Sequence, residues 1–291
     1  MRILISGASG LVGTSLSNHL AERGHDVVPL GRGRGSAVSW DPEARRVDPL
    51  EGLDAVIHLA GENLASGRWT PAVKERILQS RAEGTRLIAE ALARAKNPPS
   101  TLLSASAVGF YGNRRDALLT EESPPGDGFL SKVCQAWEAA TEPASEAGIR
   151  VAHLRFGVVL SPNGGALARM LTPFRLGLGG PIGDGRQYLS WITLPDLARA
   201  VSHLLKDRDL RGAVNFTAPE PVTNADFTKA LAEALHRPAI FRVPAFAARL
   251  ALGEMGEELL LASQRAVPSV LAQTGFTFEN QTIGEALKRL L

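Results

Sequence analysis

Apolar and polar positions along the first half of the chain follow two alternating rhythms. Nearly continuous apolar runs at 2–6, 26–30, 54–59, 100–105 and 150–156 read as strands buried on both faces. Between them, apolar residues recur at three- and four-residue spacing over 11–23, 71–96 and 129–147, the period of a half-buried helix. Thr70-Pro71 supplies a capping hydroxyl and a first-turn proline for the second helix, and the pattern allows a break near Ser80. Residues 33–50 are short and polar with no helical period, so a loop or hairpin replaces a crossover helix there. Strands alternating with helices predict an α/β fold, a doubly wound parallel sheet.

Past residue 160 the alternation breaks down. A glycine-rich stretch from Gly164 to Gly185 flanks a helical segment, Ala166 to Leu176. A strand-like segment at 187–193, a helix at 195–206, a strand at 213–217 and helices near 224–236, 244–262 and 284–290 follow. The expected division is a nucleotide-binding domain over 1–160, its core strands reaching to about 217, and a smaller mixed α/β substrate-side region over 161–291.

Composition narrows the class. The 291 residues are 44% hydrophobic, enough for a substantial core. The net charge is +2, with no block of like charges, so no nucleic-acid or membrane partner is expected. Cys134 is the single cysteine, which excludes an internal disulfide and suits a reducing, cytoplasmic compartment. With the first strand starting at residue 2, no secretory leader is expected, and the six histidines show no metal-ligand spacing.

The turn after the first strand carries chemistry. Gly7-Ala8-Ser9-Gly10-Leu11-Val12-Gly13 spaces its glycines as G-x-x-G-x-x-G between an apolar run and a helix, the setting of a Rossmann-type dinucleotide site. Gly7 permits the sharp turn, Gly10 lets a pyrophosphate approach, and Gly13 lets helix and strand pack closely. The N–H groups of Ser9, Gly10, Leu11 and Val12 then face phosphate oxygens, aided by the helix dipole. After the second strand stand Arg32 and Arg34, where a site for the unphosphorylated cofactor carries an acidic residue. A guanidinium suits a 2′-phosphate, so the cofactor expected is NADP(H), with Arg32 the first contact.

Ligands of an open parallel sheet lie at the carboxyl ends of its strands. Leu59, Ala60, Gly61 and Glu62, which end the third strand, are therefore expected beside the cofactor, while His58 within the apolar run is expected to be structural. Ser104 and Ser106 end the next strand. Ser106 is the expected partner of a substrate oxygen, with Ser104 nearer the cofactor. Arg155, Arg186, Tyr188 and Trp191 are candidates for an anionic substrate.

These segments together resemble the extended branch of the short-chain dehydrogenase/reductase superfamily, of nucleotide-sugar epimerase type. The resemblance rests on GASGLVG at 7–13, DAVIHLAG at 54–61, SASAVGFYG at 104–112 and RFGVVL at 155–160. More narrowly, Gly61-Glu62-Asn63, Arg68-Trp69, Ser80-Arg81 with Gly84-Thr85-Arg86, the run 174–192 and Gly253-Glu254-Met255 are similar to a subgroup called epimerase family proteins. It spans the whole chain and includes a C-terminal domain of unassigned function.

The resemblance implies a tyrosine four residues before a lysine on one helix, the ammonium lowering the phenol pKa for proton exchange. Here Lys132 fits the lysine, expected to hold the nicotinamide ribose, but Gly128 holds the tyrosine position. Tyr111, Glu62 and Asp127 are candidates for a replacement acid. The resemblance implies hydride exchange at a carbon–oxygen centre of a small polar substrate, a nucleotide sugar among them, and allows a homodimer built on paired helices. The alternative is an NADP(H)-binding sensor or interaction module without turnover, in which Gly128→Tyr would restore weak reductase activity.

Overall fold

The computed structural model describes residues 1–32, 37–65 and 67–291. In chain order the strands are β1 (Arg2–Ser6), β2 (Asp26–Gly31), β3 (Val38–Asp41), β4 (Arg46–Val47), β5 (Ala55–His58), β6 (Thr101–Ala107), β7 (Leu118–Leu119), β8 (Arg150–Phe156), β9 (Val158–Leu160), β10 (Tyr188–Leu189), β11 (Trp191–Thr193), β12 (Gly212–Phe216), β13 (Val222–Thr223) and β14 (Arg265–Ala266). The helices are α1 (Leu11–Ala21), α2 (Pro71–Ala93), α3 (Phe129–Ala139), α4 (Glu142–Glu146), α5 (Gly165–Arg175), α6 (Leu194–Lys206), α7 (Asn224–Leu235), α8 (Ala245–Leu252), α9 (Glu254–Gly256), α10 (Ser269–Gln273) and α11 (Ile283–Leu290).

The main sheet has eight strands in the order β12-β8-β6-β5-β1-β2-β3-β4. It is parallel except for β4, which returns antiparallel on β3 with Trp40 opposite Val47 and Asp41 opposite Arg46. Residues 38–47 of the polar stretch after β2 thus form the expected hairpin, and residues 33–36 lie outside the described residues. The strand order reverses at β1, between β2 and β5, the point where an open sheet of this kind opens a crevice.

Alternate residues of each strand enter different cores. Ile3, Ile5, Ile57 and Leu103 pack with Leu16 and Leu20 of α1 and Val201 and Leu204 of α6. Leu4, Val56 and Leu102 pack on the other face with Leu87, Ile88 and Leu92 of α2. A separate core joins Leu167, Phe174, Trp191, Phe227, Leu231 and Leu287 in the second half.

Helix boundaries depart from the sequence pattern where a local group intervenes. α2 runs unbroken through Ser80, whose hydroxyl donates to the Ile77 carbonyl at 3.1 Å and accepts from the Glu62 N–H at 3.0 Å. Its polarity is therefore satisfied without leaving the helix. The 129–147 segment divides into α3 and α4, because Pro143 offers no N–H to continue the ladder. The 244–262 segment breaks at Gly253, whose φ of +62° suits glycine. It resumes as α9 and a π-helical turn, Glu257–Leu261. The 187–193 segment splits into β10, paired with β13, and β11, paired with β9. Among the described residues, no helix is long and apolar enough to cross a membrane.

Candidate functional site

The glycine turn is built by close approach. Gly7 has φ +68°. A Cβ on Gly13 would lie 2.1 Å from the Gly7 oxygen, so only glycine lets α1 sit against the turn at that position. The Gly10 N–H donates to the Gly7 carbonyl at 3.0 Å, closing the loop. Gly10 then caps α1 with no side chain to accept a first-turn N–H, and no acidic residue stands in that turn. Ser9 and Gly10 are exposed, and Leu11 and Val12 are half-buried. The positive end of α1 is thus left without a side-chain cap, at the carboxyl edge of the sheet.

The end of β5 is held from below. Ser6 Oγ lies 2.6 Å from His58 Nδ1 and accepts the N–H groups of Leu59 at 3.0 Å and Ala60 at 3.3 Å. With those two donors on the hydroxyl, its own proton goes to His58 Nδ1. Burial pushes the His58 pKa down to about 4, and its ring meets Trp40 edge-on at 5.9 Å. His58 is thus a neutral strut of the turn that carries Leu59, Ala60 and Gly61. Glu62 is half-buried, 3.8 Å from Arg76. Arg32 is exposed immediately beyond β2, while Arg34 lies outside the described residues.

At the end of β6, Ser106 is 1% exposed and donates to Glu138 Oε1 of α3 at 2.7 Å. The same carboxylate receives Arg155 Nε at 2.8 Å and Nη2 at 2.9 Å. Arg155 Nη1 donates at 3.0 Å to the Tyr111 hydroxyl, which donates to Asn215 Oδ1 at 2.7 Å. The Arg155 guanidinium also lies 3.5 Å from the centre of the Phe110 ring. Ser106, Tyr111 and Arg155 are therefore brought together, but as a closed buried network joining β6, α3, β8 and β12. Two expectations need correction. Tyr111 is 0% exposed and both bonds of its hydroxyl are taken, so it does not stand in the cleft as an acid. Burial, moreover, raises its pKa above the ordinary phenol value despite Arg155. Arg155 is neutralised by Glu138 and has no free edge for a substrate anion. Ser104 is fully buried, with its Oγ 3.5 Å from the Ala105 carbonyl.

The tyrosine position is filled from elsewhere in the chain. Glu258 accepts the N–H of Phe129 at 2.6 Å and of Leu130 at 2.7 Å, capping α3 with its two oxygens. A Cβ on Gly128 would lie 2.8 Å from Glu258 Oε1, and Gly128 has φ +98°. A tyrosine at 128 would strain a backbone held at positive φ and displace the Glu258 carboxylate, so Gly128→Tyr disturbs the α3 cap as well as supplying a phenol. Lys132 stands on the exposed side of α3, between buried Ser131 and Val133, and Asp127 is exposed.

On the other side, Arg186 is exposed, and its N–H bonds Asp184 at 3.0 Å. Tyr188 is half-buried, with Arg265 4.8 Å from its ring centre. Trp191 is 0% exposed and donates Nε1–H to the Glu220 carbonyl at 2.9 Å. Its expected substrate contact is corrected to core packing. Sequence reasoning missed Glu138, Asn215 and Glu258, because they are joined to the strand ends only by tertiary structure. Arg81 was visible as part of a motif, and its buried place beside Gly61 was not.

A parallel sheet whose order reverses at β1, beside an uncapped glycine-rich helix start, has the layout of the Rossmann-like α/β class. Residues 3–216 match the model of the NAD dependent epimerase/dehydratase family, and the chain belongs to that family. Residues 243–290 match a domain of unknown function, DUF1731. The chain is 44% identical over 290 residues to epimerase family protein Mb2239 of Mycobacterium bovis, covering 98% of this chain and 96% of that one. It is 37% identical to the human epimerase family protein SDR39U1, each covered in full. The crystal structure of human SDR39U1 (isoform 2) with NADPH superposes with a TM-score of 0.93 at 36% identity, covering 100% of this chain and 99% of that one.

Proposed function

We propose that the protein binds NADP(H) and uses it in hydride exchange at a carbon–oxygen centre of a small polar substrate. The observation that carries this is the open N-terminus of α1, where Gly7, Gly10 and Gly13 clear the space and no side chain occupies the N–H groups. These residues fit a diphosphate. Arg32, exposed at the adjacent strand end, suits the 2′-phosphate, and the human relative crystallised with NADPH supports that choice. Leu59, Ala60 and Gly61 would line the dinucleotide. The cofactor, when bound, supplies a hydride or accepts one.

The chain's own residues account for binding better than for proton transfer. Ser106 and Glu138 brace the end of β6 against α3, fixing the wall of the crevice. A second reading, an NADP(H)-dependent sensor without turnover, draws support from the Glu258 cap at the vacant tyrosine position. Calorimetric titration of the stripped protein with NADPH and NADH tests the binding. NADPH is expected to bind tighter, and Arg32→Ala to cost about tenfold or more for NADPH alone. Equal affinities in the wild type would remove the phosphate argument. Oxidation of NADPH with any member of a carbonyl and nucleotide-sugar panel would favour the enzyme. Partner affinity that differs between NADPH and NADP⁺, without consumption of either, would favour the sensor.

A further inference from the structure

Among the described residues, eleven large apolar side chains stand exposed, and seven of them fall in two short stretches, 176–178 and 240–250. The two stretches are neighbours in space. The Phe241 N–H donates to the Gly179 carbonyl at 3.1 Å, and that of Val243 to the Pro181 carbonyl at 2.9 Å. Arg237 Nε donates to the Arg175 carbonyl at 3.1 Å. α8 follows at once, with Ala248 its one buried residue. The end of α5, the segment before α8, and α8 itself thus build one apolar lobe. Its side chains project: Leu176 is 69% exposed, Ile240 76%, Phe246 69% and Leu250 75%. Apolar residues exposed singly need no explanation, but a contiguous group marks an interaction surface.

Charge says what kind of partner fits. The ionisable residues of 165–183 are Arg169 and Arg175, and those of 236–253 are His236, Arg237, Arg242 and Arg249. Neither stretch holds an acid. With five arginines there and +2 for the whole chain, the remainder is net negative. The near balance that argued against a membrane partner is therefore an average over an uneven surface. Arg249 pairs with Glu257, while Arg175 and Arg242 are exposed and enter no ion pair among the described residues. Beside the lobe lies an open cavity of about 740 Å³, lined by Lys229, His236, Arg237 and Lys288, with Glu233 on the same wall. A second copy does not suit this surface, because an isologous contact sets the arginines against their own copies with no acid to meet them. A partner helix needs a groove to lie in, and these side chains stand out instead. Projecting apolar groups set among arginines, beside a basic cavity, suit the boundary between lipid headgroups and acyl chains.

We propose that this lobe docks the protein on a bilayer containing anionic phospholipid. Ile240, Phe241, Phe246 and Leu250 enter the acyl boundary, and Arg175 and Arg242 meet headgroup phosphates. The cavity between α7 and α11 receives a headgroup. The contact is peripheral, a lobe lying in the interface rather than a segment spanning it. It is carried by residues apart from the glycine turn, so the failure of either reading leaves the other standing.

The test is flotation of the full chain with phosphatidylcholine vesicles, with and without phosphatidylglycerol, at low and raised salt. The wild type is expected to float with the anionic vesicles alone, and less so as salt screens the arginines. Ile240→Ser combined with Phe246→Ser should lower the partition coefficient roughly tenfold or more. The thermal midpoint should hold, because both side chains are exposed. Arg242→Glu should weaken binding at low salt and matter little at raised salt. Excess soluble glycerol phosphate should leave flotation intact. If it releases the protein, the cavity is a site for a free phosphate ester and the bilayer reading fails. A wild type that stays in solution with both kinds of vesicle overturns the proposal, as does flotation indifferent to the lobe variants. Sedimentation equilibrium that shows a dimer, lost in the double serine variant, would give the lobe to a second copy instead. An acidic amphipathic peptide that binds where vesicles do not would give it to a protein partner.

Discussion

Single residues at the strand ends take their roles from burial rather than from chemical type. His58, Tyr111 and Ser106 are all reactive in principle, and each is committed to a neighbour. For His58 this has a consequence in pH. Its pKa falls from 6.5 to about 4 on folding because burial penalises the charged ring. The unfolded chain therefore binds the extra proton first. The stability tied to His58 is complete above pH 6.5 and is lost as pH falls toward 4. The shift corresponds to about 3 kcal/mol. His19, His25 and His153 are also lowered, chiefly by burial, and add to the same slope. Urea unfolding from pH 7 to pH 4 should show stability dropping with acid, and His58→Asn should make the drop shallower. Equal slopes in both proteins would mean that His58 is not the buried neutral group described. The glycine turn was legible because its demand is local, one residue with φ above zero and one with no room for a Cβ. The commitments of Tyr111 and Arg155 were not, since Asn215 and Glu138 reach them across the sheet.

Among the elements, the segment from α8 to the π-helical turn matters most for the vacant tyrosine position. Three polar ties fasten it across α2, α3 and the loop between β5 and α2. Lys74 pairs with Glu254 at 2.8 Å, Arg68 donates to the carbonyls of Leu250 and Ala251, and Glu258 caps α3. The apolar period at 244–262 signalled a helix but not its fracture at Gly253 or the carboxylate that the resulting turn delivers. Such turns often mark functional positions. Two charge-assisted bonds to helix N–H groups are worth about 2–3 kcal/mol together. Glu258→Ala should therefore lower stability by about that amount. It should also speed amide exchange both at the start of α3 and through 254–261, read by mass spectrometry. Faster exchange at 254–261 with no change at Phe129 and Leu130 would show that the cap does not couple the two elements.

At the scale of the whole molecule, the apparent division near residue 160 does not divide the core that packs α1 and α6 on the main sheet. β12 completes the main sheet beside β8, although glycine-rich sequence and a change of rhythm separate the two in the chain. Leu271 and Phe278, close to the C-terminus, lie in the same core as Ile3 and Val214. The segment after β14 is tied to α6 through Asp196, which is 1% exposed. Its carboxylate accepts the N–H groups of Glu279 at 2.9 Å and Asn280 at 3.0 Å, Asn280 Nδ2 at 2.9 Å, and Arg199 Nη1 at 2.8 Å. Periodicity finds such strands and helices one at a time, but it carries no information on which distant loop returns to a buried carboxylate. Because Val214, Leu271 and Phe278 pack in the same core as Ile3 and Ile57, calorimetry should show a single unfolding transition, with matching calorimetric and van't Hoff enthalpies. Asp196→Ala leaves those donors unpaired and should cost about 3–5 kcal/mol. It should shift the whole transition downward without splitting it. Two resolved transitions, with only the weaker one moved by Asp196→Ala, would instead show that the C-terminal region folds on its own and merely rests against the sheet.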